Sequence, residues 1–233
     1  MSGQVRTVKH YQRGQHSRFL VSGPLPWETA PVDLHQALQA RRMCRNFSSE
    51  PVDPALVERI LEAALRSPTA GNTAGTAWVV LSGSDETSAY WEATTDAGWR
   101  AANPEWASGL MRAPVVLLSY ASPDAYLARY SEPDKSRSAL GTSEAAWAVP
   151  YWFGDAAFAV MAVLLCAVDA GLGACVLGNF RGEAALAASL GVPDAWRLFG
   201  AVALGVPAGD THRSRSLDRP VPAVTERIHS GHW

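Results

Sequence analysis

Three arginines stand within five residues in the segment Arg41-Arg42-Met43-Cys44-Arg45-Asn46-Phe47, here called the arginine segment. Guanidinium groups stay protonated and present paired donors, so such a cluster suggests that a phosphate or carboxylate is bound. The alternative is a solvated helix end, because cations near a helix C-terminus are stabilised by the helix dipole. On these residues alone the solvated helix end is favoured, and the rest of the chain decides between the two.

A second candidate is the loop Ser67–Gly75, which is rich in small residues that let a ligand approach the backbone and that offer hydroxyl and amide partners. Gly171-Leu172-Gly173 lies further along, and Gly178-Asn179-Phe180 follows it. The first of these nearly fits the dinucleotide fingerprint, but Val176 occupies its last glycine position and the segment follows a predicted helix. A Rossmann turn is therefore excluded.

Charge and motif content exclude several other classes of protein. Lys and Arg number 20 against 22 Asp and Glu, and a net charge of −2 provides no general field for nucleic acid or an anionic membrane. The sequence contains no GxxxxGK[ST], HExxH or GxSxG motif, and most of its six histidines fall near the ends of the chain, so no metal site is expected. The three cysteines have no CxxC spacing and are interpreted as reduced core residues.

Hydrophobic periodicity predicts one domain over residues 31–233, preceded by an N-terminal arm at 1–30. Asp33 and the pair Asp53-Pro54 are predicted to begin the first two helices. Further helices are predicted at 85–100, 104–112, 151–169 and 183–190, and strands at 77–81, 115–120, 174–177 and 197–205. Residues 121–150 are predicted to form an irregular lid segment, and 207–233 a proline-punctuated tail. Alternating helices and short strands favour an α/β or α+β fold with a mixed sheet.

The first 20 residues lack the apolar stretch of a secretory signal, and the apolar run Ala156–Val168 is too short to span a bilayer. We therefore expect a cytoplasmic protein without a membrane partner. No nucleic-acid partner is expected either.

Taken in order, the motifs resemble those of the nitroreductase superfamily of FMN-dependent oxidoreductases, from about residue 33 to the C-terminus. The motifs that carry the resemblance are Arg41-Arg42-x-x-Arg45-x-Phe47, Ser67-Pro68-Thr69-x-x-Asn72, Gly171-Leu172-Gly173 and Gly178-Asn179-Phe180. The resemblance implies an α+β, three-layer fold in which helices flank a mixed, mainly antiparallel sheet. It also implies an intertwined homodimer with FMN at the subunit interface.

The resemblance assigns roles to individual residues. It places the flavin phosphate and pyrimidine edge on Arg41, Arg42, Met43 and Arg45, and packs Pro68, Thr69, Ala70 and Asn72 of the partner subunit on the isoalloxazine. It places Val176, Leu177, Gly178 and Asn179 along the flavin, with the Asn179 backbone N–H facing flavin N5, and Arg215 and Arg219 at the phosphate. Two departures stand out: Met43 replaces the usual Ser, and Ala74-Gly75-Thr76 replaces the usual Gln-Pro-Trp.

The implied function is hydride transfer from NAD(P)H through FMN to an electron-poor acceptor such as a nitroaromatic or a quinone. One alternative is a deiodinase-like reductase, whose lid residues Tyr126, Tyr130, Glu132 and Lys135 would grip a zwitterionic aromatic substrate. For these four residues a solvated loop is the competing interpretation. A second alternative is a flavin-binding or storage protein with little turnover, because the Ala74-Gly75-Thr76 edge is altered. Some relatives carry a deazaflavin in place of FMN.

Overall fold

The computed structural model describes residues 33–209 and 218–233, so the predicted arm at 1–30 and Arg215 lie outside the described residues. The helices of these two ranges are α1 Leu34–Ala40, α2 Pro54–Ala64, α3 Ser84–Thr94, α4 Ala97–Ala102, α5 Pro104–Met111, α6 Pro123–Tyr130, α7 Tyr151–Asp169 and α8 Glu183–Ser189. The strands of the same ranges are β1 Thr76–Ser82, β2 Val115–Ala121, β3 Gly173–Leu177 and β4 Arg197–Gly205.

The four strands form one sheet in the order β1-β2-β4-β3, and every pairing between them is antiparallel. Strand β2 lies inside the sheet and all of its residues are buried, which shows that both faces of the sheet are covered. The prediction of a mainly antiparallel sheet is confirmed. Among the described residues its parallel component is a single bridge between Met43 and Ala174.

Successive strand residues point to opposite faces, and each face packs against helices. On one face the strand side chains pack against α2 and α7 through residues such as Ile60 and Val163. On the other face they pack against Tyr90 and Trp91 of α3, Leu110 of α5 and Leu186 of α8. Helices therefore cover the sheet from both sides, and the predicted α+β architecture of three layers is confirmed.

The predicted helix starts are present. The Asp33 carboxylate accepts a hydrogen bond of 2.8 Å from the His35 amide, and the Asp53 carboxylate accepts one of 3.0 Å from the Ala55 amide. Helix α7 ends where Gly171 adopts φ +68° and Leu172 N donates to Ala167 O at 2.7 Å. By length and composition α7 could cross a membrane, with a mean hydropathy of 1.8. In this structure it is a core helix that packs on α2 and the sheet.

Two segments differ from the sequence-based predictions. The helix predicted at 85–100 is two helices, because α3 ends at Thr94 and the Asp96 side chain caps α4 by accepting from Trp99 N at 2.6 Å. The lid segment is more regular than predicted. It contains α6, whose first turn is capped by Ser122, and 3₁₀ turns at Ser136–Ser138 and Glu144–Ala146.

Candidate functional site

The arginine segment leaves the end of α1 and runs alongside the sheet. Met43 forms its bridge with Ala174 of β3, and Cys44 N donates to Ala174 O at 2.9 Å. Four residues later the fully buried Phe47 forms an antiparallel bridge with Pro207, just beyond β4. Backbone pairing therefore fixes both ends of the segment, and this holds the arginines between them in a defined position.

Each of the three guanidinium groups has different surroundings. Arg41 caps α1 through its backbone, and its Nη1 is buried without a hydrogen-bond partner among the described residues. Arg45 Nε is also buried without such a partner, and its guanidinium carbon lies 5.1 Å from the ring centroid of Trp106 in α5. Arg42 is exposed, and its guanidinium donates to Gln39 O and, at 2.9 Å, to Arg41 O. Arg41 and Arg45 thus have donors available for an anion.

A cavity of about 250 Å³ lies beside the arginine segment. Its lining includes Arg42 and Cys44, the α7 residues Leu164 and Val168, and Pro207. Burial raises the pKa of the Cys44 thiol more than the nearby Arg45 charge and its hydrogen bond to Asn46 O lower it. Cys44 therefore lines the cavity as a protonated thiol at neutral pH. This agrees with its interpretation from the sequence as a reduced core residue.

The chain leaves the sheet at the end of β3, where the pairing with β4 stops at Leu177 and Ala201. Two residues later the Asn179 amide oxygen accepts a hydrogen bond of 3.4 Å from the Tyr90 hydroxyl, while its Nδ2 is buried without a partner among the described residues. Burial raises the Tyr90 pKa to about 12, so this phenol is a donor at neutral pH. The structure thus presents a third unpaired buried donor on the segment predicted to lie along the flavin.

The loop Ser67–Gly75, which is predicted to pack on the flavin, is anchored by a carboxylate that the sequence analysis missed. Ala70 N donates to Asp155 Oδ2 at 2.7 Å, and Asp155 lies in the second turn of α7. Within the loop, Asn72 N donates to Thr69 O at 3.0 Å, closing a 3₁₀ turn in which Asn72 has φ +57°. Asn72 and Pro68 are exposed, while Thr69 and Ala70 are half-buried.

The lid residues do not form one exposed cluster. Tyr126 is fully buried and donates to Asp155 Oδ2 at 2.7 Å, so its placement on a substrate-gripping lid is corrected to a core position. Tyr130 lies half-buried against Gly71, and Lys135 Nζ lies 5.8 Å from the Tyr130 ring centroid. Glu132 is exposed and pairs with Arg129 at 3.0 Å.

The tail is exposed throughout its second described part, from Asp218 to Trp233. Arg219 and every later residue are exposed, including Trp233 at 98%. Arg219 therefore has no buried position in the described residues. No group of three or more potential metal ligands occurs in residues 33–209 or 218–233.

The sequence profile of the Nitroreductase family matches residues 38–206, which contain the arginine segment, the loop and the end of β3. The chain belongs to the nitroreductase family. Family membership makes it an oxidoreductase of the nitroreductase type, as its ordered motifs had predicted.

Individual relatives agree with this assignment. The chain is 31% identical over 204 residues to a protein named NADH dehydrogenase from Thermus thermophilus, covering 81% of this chain and 94% of the relative. Its fold is similar to that of the nitroreductase CinD from Lactococcus lactis in complex with nicotinic acid, with a TM-score of 0.61 and 21% identity over 82% of this chain and all of that one. It is also similar to that of a candidate nitroreductase from Desulfovibrio desulfuricans in complex with FMN, with a TM-score of 0.59 and 24% identity over 85% of this chain and 96% of that one.

Three residues at this site were missed by the sequence analysis. Tyr90 holds the Asn179 amide, Trp106 lies against the Arg45 guanidinium, and Asp155 binds the loop. Tyr90 and Trp106 lie far from their partners in the sequence and belong to no motif. Asp155 offered a weak signal, because it is an acidic residue at the start of a very apolar helix.

Proposed function

We propose that the protein is an FMN-dependent oxidoreductase that passes a hydride from NAD(P)H through the flavin to an electron-poor acceptor of the nitroaromatic or quinone type. The observation that carries this proposal is the set of buried donors on Arg41, Arg45 and Asn179 that have no partner in the described part of the chain. An unpaired buried donor costs about 1–3 kcal/mol, so such a set favours a ligand rich in acceptors. FMN carries acceptors on its phosphate and on its pyrimidine ring, and it fits this donor set.

When bound, FMN supplies the hydride chemistry, and the protein supplies binding, orientation and electrostatics. The Arg41 and Arg45 guanidinium groups hold negative charge on the ligand and stabilise the charge that develops on reduction. Because Arg45 lies against Trp106 and its backbone is fixed by the bridges at Met43 and Phe47, its charge is oriented before the ligand arrives.

The end of β3 supplies the second part of the site. Backbone beyond Leu177 is no longer paired with β4, which leaves the Asn179 backbone N–H as the proposed donor to flavin N5. Val176, Leu177 and Gly178 lead up to it. The Tyr90 hydroxyl donates to the Asn179 side chain, which orients this residue without supplying an acid or a base.

A homodimer is part of the proposal. Ala70 contacts α7 at Asp155, whereas Arg42 shares its cavity with Leu164 and Val168 of the same helix. At 1.5 Å per residue these contact points are roughly 14–20 Å apart along α7. The separation supports a site in which the loop of a second copy, through Pro68, Thr69, Ala70 and Asn72, packs on a flavin held by the arginine segment.

The relatives support the same chemistry by their names. The Thermus protein is named for NADH, and the Desulfovibrio structure is a complex with FMN. CinD has been crystallised with chloramphenicol and with 4-nitrophenol, and we propose nitroaromatic acceptors here on that basis.

The test is an anaerobic reduction of the purified protein after incubation with FMN. We expect the absorbance of bound flavin to bleach when NADH or NADPH is added and to return when a quinone or a nitroaromatic follows. A protein that binds FMN but is bleached by neither nucleotide would contradict the enzymatic proposal and identify a flavin-binding protein with little turnover. A protein that takes up no FMN would contradict both functions.

A further inference from the structure

Asp155 is a buried carboxylate that the proposed hydride transfer does not use. Its side chain is 2% exposed, and its Oδ2 atom accepts two hydrogen bonds of 2.7 Å, one from the Ala70 amide and one from the Tyr126 hydroxyl. Burying a carboxylate is costly unless hydrogen-bond donors compensate it, and these two hydrogen bonds offset the cost of burying Asp155. One oxygen atom of α7 thus joins the predicted flavin loop to α6.

Helix α6 packs on the same loop through contacts that only glycine permits. A Cβ atom on Gly71 would lie 2.8 Å from the Tyr130 ring, and one on Gly75 would lie 2.3 Å from the Tyr126 ring. Gly71 has φ +65°, and its carbonyl oxygen accepts a hydrogen bond of 2.9 Å from Arg129 Nε. The loop is therefore held both by α6 and by the Asp155 carboxylate.

The C-terminal end of α6 is held by an ion pair. Both terminal nitrogens of Arg129 donate to the Asp134 carboxylate at 2.7 Å, and this contact holds the Asp134 pKa below its usual range. Arg129 thereby connects the loop carbonyl to the residues that follow α6. These hydrogen bonds hold the part of the lid segment that packs on the loop in a defined position.

We propose that Asp155 is a positioning residue for flavin binding. It acts through the Ala70 amide, setting the position of the loop that packs on the isoalloxazine, and it does not itself touch the ligand. The inference rests on the proposed function. If the loop reaches its binding position for only a fraction of the time, the apparent affinity for FMN falls by that same fraction.

The test compares FMN dissociation constants of the wild type, D155N and T87V. Asn keeps the shape of Asp155 but loses the charge that strengthens both hydrogen bonds, and we expect D155N to bind FMN about tenfold more weakly. T87V is the matched control, because Thr87 of α3 is buried and its hydroxyl donates to Gly83 O, away from the loop. T87V should lower the melting temperature and leave the FMN affinity unchanged.

Amide hydrogen exchange reports directly on the hydrogen bond between Ala70 and Asp155. We expect the Ala70 amide to be protected in the wild type, to exchange faster in D155N, and to remain protected in Y126F, which removes only the other donor. The dissociation constant of Y126F for FMN should exceed that of the wild type by less than about threefold.

An unchanged FMN affinity in D155N, or an equal loss in T87V, would overturn the inference while leaving the proposed function intact. Should D155N fail to fold, fast exchange of the Ala70 amide in the wild type would overturn it equally. A wild type that binds no FMN would instead overturn the proposed function.

Discussion

Met43 is bridged to Ala174, and this contact brings the arginine segment alongside β3, the strand that leads to Asn179. The Cys44 amide strengthens the contact by donating to the Ala174 carbonyl at 2.9 Å. The family resemblance leads one to expect Ser at position 43, whereas Met43 pairs through its backbone and its side chain packs against the core on both faces of the sheet. This backbone pairing helps to fix the placement of Arg41 and Arg45.

We predict that R41A and R45A each weaken FMN binding about tenfold or more, because a hydrogen bond to a charged group contributes roughly 1.5–3 kcal/mol. R59A, which removes an exposed arginine of α2, is the control and should bind FMN like the wild type. The measurement is a fluorescence titration of apoprotein with FMN. Equal affinities in all four proteins would show that the arginine segment does not hold the ligand.

We predict that Trp106 contributes to FMN binding through Arg45. A cation–π contact contributes roughly 0.5–1 kcal/mol at a partly exposed site, so W106A should weaken binding by about two- to fivefold. In the R45A background the same substitution should have no further effect. Additive losses in the double variant would mean that Trp106 acts independently of Arg45.

Much of the fold could be predicted because local signals and tertiary packing agree. Asp33, Asp53 and Gly171 mark helix boundaries through side-chain capping and a positive φ, which depend on neighbouring residues alone. The break between α3 and α4 was missed, although the poor helix formers Thr94, Thr95 and Gly98 lie around it. It depends on Asp96, which caps the second helix by a local contact that the periodicity does not reveal.

The candidate site could be predicted only as far as its motifs extend. The arginine segment and the end of β3 are contiguous stretches, and the structure joins them through the bridge between Met43 and Ala174, which the sequence analysis did not predict. Asp155 and Ala70 are 85 positions apart, and no local pattern connects them. Tyr126 was assigned to the lid because its surroundings in the sequence are irregular, whereas its burial depends on the glycine at position 75.

We predict opposite effects for two glycine substitutions. G75A should lower the free energy of unfolding by about 1–3 kcal/mol, because its Cβ atom would meet the Tyr126 ring in a packed core. G154A should raise it by up to about 1 kcal/mol, because Gly154 lies inside α7 with open space around it and alanine favours the helix. Urea unfolding measures both. A G75A variant as stable as the wild type would contradict the packing of α6 on the loop.

We predict that Tyr90 makes stability fall at alkaline pH. Burial raises its pKa in the folded protein to about 12, above the value of about 10 in the unfolded chain. The contribution is fully present below pH 10 and is lost as the pH rises from 10 to about 12, by up to roughly 3 kcal/mol. Urea unfolding at about pH 9 and about pH 11.5 should show a smaller loss in Y90F than in the wild type. Equal losses would contradict the burial of a protonated phenol.

The most direct measurement is a titration of the purified apoprotein with FMN, followed by the absorbance spectrum and mass of the bound cofactor. The arrangement of Arg41, Arg45 and Asn179 predicts saturable binding of one FMN per chain, with a flavin spectrum that differs from that of free FMN. A titration in which the spectrum and fluorescence of FMN stay those of the free flavin would contradict the account.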